Sequence, residues 1–212
     1  MRASRAGAAA VALVAALAGC SLLPRAPAPT TMEGEWAELR DQATRRAFLY
    51  DGLRHRATGT ATLLSVPVRE ARARRLAVWF GWTQAELDDR LALEHKEAAE
   101  GEEFFLSFYT AAPHDNDLDA PKSVWRVAVK VDGGDLLARR VTATDLDATA
   151  AGLYPYIGPF DVVYRVLVPP APGGPIAGRE FTLELASALG KVSMDFGAPN
   201  GTITPQEPAP PP

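Results

Sequence analysis

The chain has 212 residues, 47% of them apolar and 23% charged, with a net charge of -4 and a single cysteine. That composition excludes a collagen-like or wholly disordered protein, a disulfide framework or cysteine-rich metal site, and the large basic field that nucleic-acid binding asks for. Arginine outnumbers lysine 18 to 4. Like the abundant alanine, glycine and proline, arginine has GC-rich codons, so nucleotide bias accounts for the excess before any function does.

Arg2 and Arg5 open the chain, and residues 6–18 are an uncharged run of Ala, Val, Leu and Gly. As a helix this run rises about 20 Å at ~1.5 Å per residue, short of a ~30 Å hydrocarbon core. A basic start followed by a short apolar stretch is the form of a secretory signal. The stretch ends in Leu17-Ala18-Gly19-Cys20. These four residues resemble the lipobox of bacterial lipoproteins, over residues 1 to about 21 only. The resemblance implies that residues 1–19 are a signal peptide cut off before Cys20. It also implies a diacylglycerol on the Cys20 sulfur, and hence a protein tied to the membrane of the cell envelope. Placing the only cysteine here suits an oxidising compartment, where a free thiol is a liability. In the sorting logic of that family an Asp after the cysteine retains the protein at the inner membrane. Ser21 stands there instead, which implies the periplasmic face of the outer membrane.

Residues 20–32 then read as the lipidated cysteine and a tether, with Pro24, Pro27 and Pro29 among small residues. Residues 199–212 hold six prolines and read as an unpacked tail. Between them lie a mainly helical section, 33–101, with one or two strands, and a strand section, 102–198.

Residues 34–47 fit a helix, because Trp36, Leu39, Ala43 and Ala47 fall in one stripe of roughly 80° at 100° per residue. Residues 58–64 are short and β-branched, which predicts a strand. Ser65-Val66-Pro67 starts a second helix, with Ser as cap and Pro in the first turn. Thr83 and Glu86 form a capping box for a third, whose Leu87, Leu91 and Ala98 share a face with His95 at its edge, and which Gly101 ends.

From residue 104 the period becomes two. Trp125, Val127, Val129 and Val131 alternate with their neighbours, as do Phe160, Val162, Tyr164, Val166 and Val168. Phe181, Leu183 and Leu185 do the same, followed by Val192, Met194 and Phe196. Such segments are half-buried antiparallel strands, with turns at residues 132–135 and at Leu189-Gly190. The expected fold is α+β and mainly β, an antiparallel immunoglobulin-like β-sandwich with two or three helices in the N-terminal half.

Candidate chemistry is sparse. His55, His95 and His114 lack the paired spacing of a zinc site, and His95 reads as a helix-edge packing residue. There is no nucleophile elbow, dinucleotide loop or phosphate loop. Asp115, Asp117 and Asp119 alternate as the carboxylates of a calcium loop do, but the turn glycine and bidentate glutamate positions hold Ala120 and Arg126. A solvated interstrand loop is the preferred reading, with a weak cation site as the alternative. Arg69, Arg72, Arg74 and Arg75 point all round a helix, which suits solvated arginines paired with acidic neighbours rather than a phosphate stripe. Residues 154–160, rich in Tyr and Pro, read as corner packing rather than an exposed binding loop.

These readings lead to a non-enzymatic envelope lipoprotein that binds or scaffolds an envelope protein or cell-wall partner, with no cofactor and no nucleic acid. An envelope hydrolase with an unrecognised site and a cation-dependent adhesion module are the alternatives.

Overall fold

The computed structural model describes residues 31–197. Cys20, the signal and most of the tether, and the 199–212 tail lie outside the described residues. The elements run α1 (Thr31–Gln42), β1 (Thr44–Asp51), β2 (Arg54–Leu63), α2 (Val66–Phe80), α3 (Gln84–Ala98) and β3 (Glu102–Thr110). A 3-10 turn, Pro113–Asp115, leads to β4 (Arg126–Val131), β5 (Gly134–Leu137) and β6 (Arg140–Thr144). Then come α4 (Ala148–Leu153), β7 (Val162–Val168), β8 (Phe181–Ser187) and β9 (Gly190–Asp195). The fold is α+β and mostly strand, with two antiparallel sheets in the orders β1-β2-β3-β7-β6 and β5-β4-β8-β9.

The sheets share one apolar core. Leu49, Ala57, Phe104, Leu106, Phe108, Tyr164 and Val166 of the first meet Val127, Val129, Leu183, Leu185, Val192 and Met194 of the second. A second core lies on the other face of the first sheet, where Trp36 of α1, Val68 and Ala71 of α2, and Leu153 and Tyr154 close over Phe105 and Val163. The central strands of the first sheet are therefore covered on both sides. This is why β3, Glu102–Thr110, shows no alternation: every residue from Glu103 to Phe108 is buried.

Where one sheet face stays open, the period-two reading holds. Trp125, Val127, Val129, Val131, Phe181, Leu183, Leu185, Val192 and Met194 are all buried. The alternation expected over 160–168 does not hold, because β7 is one of the covered strands and buries Val163 and Leu167 as well as Tyr164, Val166 and Val168. Asp161 N–H bonds the Gly158 carbonyl at 3.2 Å, so a turn precedes β7 and leaves Phe160 exposed.

The helix expected over 34–47 ends at Gln42, and Ala47 belongs to β1. Thr44 Oγ1 donates to the Arg40 carbonyl at 2.6 Å, occupying a terminal acceptor of α1. The chain then pairs with β2, Phe48 opposite Thr58 and Leu49 opposite Ala57. At its other end α1 begins at Thr31, inside the stretch read as tether. The strand expected from 58 begins at Arg54, because Asp51-Gly52-Leu53-Arg54 closes a hairpin.

Ser65 does precede α2, though its side chain makes no capping bond, and the Thr83–Glu86 capping box is formed in full. The α3 helix stops at Ala98. Gly101 lies beyond it at φ 153, where a Cβ would stand 2.2 Å from the Val168 carbonyl, so only glycine lets β3 enter beside β7. No helix among the described residues is long and apolar enough to cross a membrane.

Candidate functional site

Two groups of polar and aromatic side chains stand out, one beneath the helices and one at an end of the two-sheet core.

Beneath the helices, Arg69 is 1% exposed and donates in four directions. Its Nε reaches the Leu64 carbonyl at 2.8 Å, Nη1 reaches Glu94 at 2.9 Å and Glu97 at 3.2 Å, and Nη2 binds Glu103. Glu94, fully buried, also accepts from Arg72 at 2.8 Å and from Arg90 at 2.5 Å. Arg165 joins Glu103 at 2.5 Å and Glu97 at 3.3 Å. Burial alone would raise the pKa of Glu94, but the Arg72 charge and the bonds from Arg72, Arg69 and Arg90 bring it down to about 2. Burial likewise opposes ionisation of Glu103, and Arg165 and Arg69 overcome it.

The solvated reading of the arginines is corrected here. Arg69 and Arg72 point into the molecule because the face of α2 they occupy meets Glu94 of α3 and, for Arg69, also Glu103 of the central strand β3, not water. Arg74 does pair at the surface, with Glu35 at 2.9 Å and Glu70 at 3.4 Å, and Arg75 lies over the Trp79 ring at 4.7 Å. Leu87, Leu91 and Ala98 are only half-buried, and Glu94 is the one buried residue of α3. His95 is exposed rather than packed, and its Nε2 bridges α3 to Glu70 of α2 at 2.7 Å. With its carboxylates and guanidiniums bonded to one another, this cluster fastens helices to a sheet.

At the far end of the core, the β1–β2 hairpin, the end of β3, Trp125 and the β8–β9 turn surround a cleft of about 370 Å³. Leu49 and Trp125 give it an apolar floor, and Arg54, Arg56 and Asp115 give it a charged rim beside His55. Arg56 is tied to Asp51 at 2.6 Å. His55 belongs also to a row of rings on the outer face of the first sheet. It stacks on Tyr109 with centroids 5.3 Å apart and packs beside Tyr50 at 5.2 Å, with Phe48 at 6.2 Å. His55 Nε2 lies 3.0 Å from the Ala57 carbonyl and 2.7 Å from Thr58 Oγ1. Phe48, Tyr50 and Leu53 at the tip are exposed. An apolar floor, a rim of mixed charge and adjoining rings suit an extended or amphipathic partner.

Sequence reasoning noted His55 but not its neighbours. The overlooked signal is Asp51-Gly52, a hairpin dipeptide, preceded by Phe48 and Tyr50 two residues apart.

The acidic loop is a built corner. Asp117 accepts from Ser123 Oγ at 2.9 Å and from Val124 N–H at 3.3 Å, and the Asp115 carbonyl accepts from Trp125 Nε1 at 2.6 Å. Asn116 Nδ2 donates to the Phe108 carbonyl, and Tyr164 OH donates to Asn116 Oδ1. Leu118 is buried in the core of the two sheets and Asp119 faces solvent. Burial, with the Asp119 charge, pushes the Tyr164 hydroxyl up to about 12. Among the described residues no three His, Cys, Asp or Glu are grouped to hold a metal ion. Of residues 154–160, Tyr154 is buried and stacked on Phe105 at 3.7 Å, and Tyr156 bonds Thr62 at 2.7 Å. Among the aromatic rings of that segment Phe160 alone is exposed. No family model, curated protein or solved structure matches this chain.

Proposed function

We propose that the chain is a lipid-anchored lipoprotein of the cell envelope, held by a diacylglyceryl Cys20 at the periplasmic face of the outer membrane, and that it binds a partner there without catalysis. In this reading the two sheets form an immunoglobulin-like β-sandwich, a scaffold that presents binding residues from its ends. The supporting observation is the β1–β2 end, where Phe48, Tyr50 and Leu53 are exposed beside an amphipathic cleft. Exposed rings gathered at one site mark recognition surfaces, whereas the displaced carboxylates Glu94 and Glu103 lie in the ion-pair cluster. The partner is an envelope protein or cell-wall polymer.

A photo-crosslinking amino acid at Tyr50 or Leu53 in intact cells tests this. One discrete product at these positions, absent when the probe replaces exposed Lys191 in β9, is expected. Equal crosslinking at all three positions, or none, contradicts a binding end at β1–β2.

A further inference from the structure

The helical hairpin α2–α3 ends in Val78-Trp79-Phe80-Gly81-Trp82, with Val78 50%, Trp79 39% and Phe80 57% exposed. Gly81 takes the left-handed conformation at φ 64, and Trp82 N–H reaches back to the Ala77 carbonyl at 2.9 Å, so the tip is a closed, defined turn. Phe80 stacks on Trp82 with centroids 6.2 Å apart, and Trp79 lies over Gly152 of α4. Nothing in the binding end at β1–β2 uses these residues.

Where the chain enters the fold bears on what covers them. Leu63 N–H bonds the Ala43 carbonyl at one end of α1, and Arg74 bonds Glu35 near the other. The α1 helix therefore runs antiparallel to α2 and starts beside the C-terminal end of α2. Thr31 is about 6 Å beyond Glu35, and Trp79 is about 7.5 Å beyond Arg74, at ~1.5 Å per residue. Ten residues separate Cys20 from Thr31, which reach at most roughly 35 Å. Thr31, the first described residue, and the aromatic tip thus lie on one side of the folded unit.

We infer that the Val78–Trp82 tip rests in the headgroup region of the bilayer to which Cys20 is attached, a second contact that orients the domain. The inference rests on the proposed lipid anchor. Tryptophan and phenylalanine prefer that region, where a ring is half wet and half apolar. The contact is apolar rather than coulombic. Arg74 is engaged by Glu35 and Glu70, Glu86 in the first turn of α3 is acidic, and the chain is net negative. The β1–β2 binding end belongs to other elements and stays free for its partner.

The test uses the unlipidated chain from Ser21 to Pro212, which carries every residue of both apolar clusters. It is mixed with vesicles of phosphatidylethanolamine containing a minority of phosphatidylglycerol, with and without brominated acyl chains. Trp36 and Trp125 are buried and supply a constant background. Brominated lipid should quench and shift part of the tryptophan emission, unchanged by added salt. The Phe80→Ser, Trp82→Ser double variant should keep its melting temperature and partition on the order of tenfold or more weakly. Absence of quenching in the wild-type chain overturns the inference, even if Cys20 proves lipidated. A concentration-dependent dimer that these substitutions abolish also overturns it, because a second copy would then cover the tip. Quenching with an unmodified Cys20 upholds the tip contact and removes only the anchor.

Discussion

The two faces of the first sheet are held by different physics. Toward the second sheet, side chains from both layers meet in an apolar core whose aromatic members include Phe104, Phe108, Trp125 and Phe181. Toward the helices, the apolar group is smaller, and the α2–α3 pair is fixed through Arg69, Arg72 and Arg90 around Glu94, with Glu103 on the sheet. An apolar core loses stability in proportion to the volume removed. A buried ionic cluster behaves differently: removing one member strands the others, so a single change costs far more than the intact pair contributes.

The sharpest way to break this contrast is Arg69→Ala, expected to cost about 3–5 kcal/mol by chemical denaturation. Arg69→Met restores the volume of the side chain but should recover little, because Glu94 and Glu103 remain buried without their partner. Recovery by Met to near wild type would mean that packing, not charge, fastens α2.

Trp125→Ala, on the other face, should also cost about 3–5 kcal/mol, and pH separates the two. Glu94 and Glu103 have lowered pKa values in the fold, so their contribution is complete above the ordinary carboxylate range and fades as pH falls from about 4.5 toward about 2. The deficit of Arg69→Ala should shrink over that window, since the stranded carboxylates take up protons, while the deficit of Trp125→Ala stays constant. Melting both variants near neutrality and near pH 3 decides it.

Smaller effects are expected at the acidic corner. Asp117→Ala removes an acceptor for Ser123 and Val124 and should cost about 1 kcal/mol. Added calcium should not raise the melting temperature of the wild-type chain. A rise of several degrees that Asp117→Ala abolishes would restore the cation-site reading, because a bound ion stabilises by mass action. Smallest of all, Arg126→Ala, exposed and paired with Asp135 at 3.0 Å, should stay within about 0.5 kcal/mol. A loss equal to that of Trp125→Ala would mean the register of β4 is wrong.

The same contrast explains what the sequence disclosed. Strands β4, β8 and β9 turn their large apolar side chains to one face, with only Ala128 and Glu184 buried on the other, so Val127-Val129-Val131 and Phe181-Leu183-Leu185 alternate visibly. Strand β3 is buried on both, so its Phe104-Phe105-Leu106 run carries no period. The α1–β1 boundary was hidden because Ala43 and Ala47 continue the helical stripe of Trp36 and Leu39 by chance, and pairing with β2 overrides it. Arg69 could not be told from its neighbours, since burial of a charge depends on glutamates 25 and 34 residues away that only the fold brings near. The β1–β2 site suffered the same way: its rings come from three strands, and only Asp51-Gly52 is local.

The measurement that bears most directly on the proposed function is the mass of the mature N-terminus, taken on protein recovered from the membrane fraction of bacterial cells. The mature chain should begin at Cys20 and carry a diacylglyceryl group, and replacing Cys20 by Ser should leave an uncleaved precursor. A wild-type chain found soluble, beginning after residue 20 and without lipid, would contradict it.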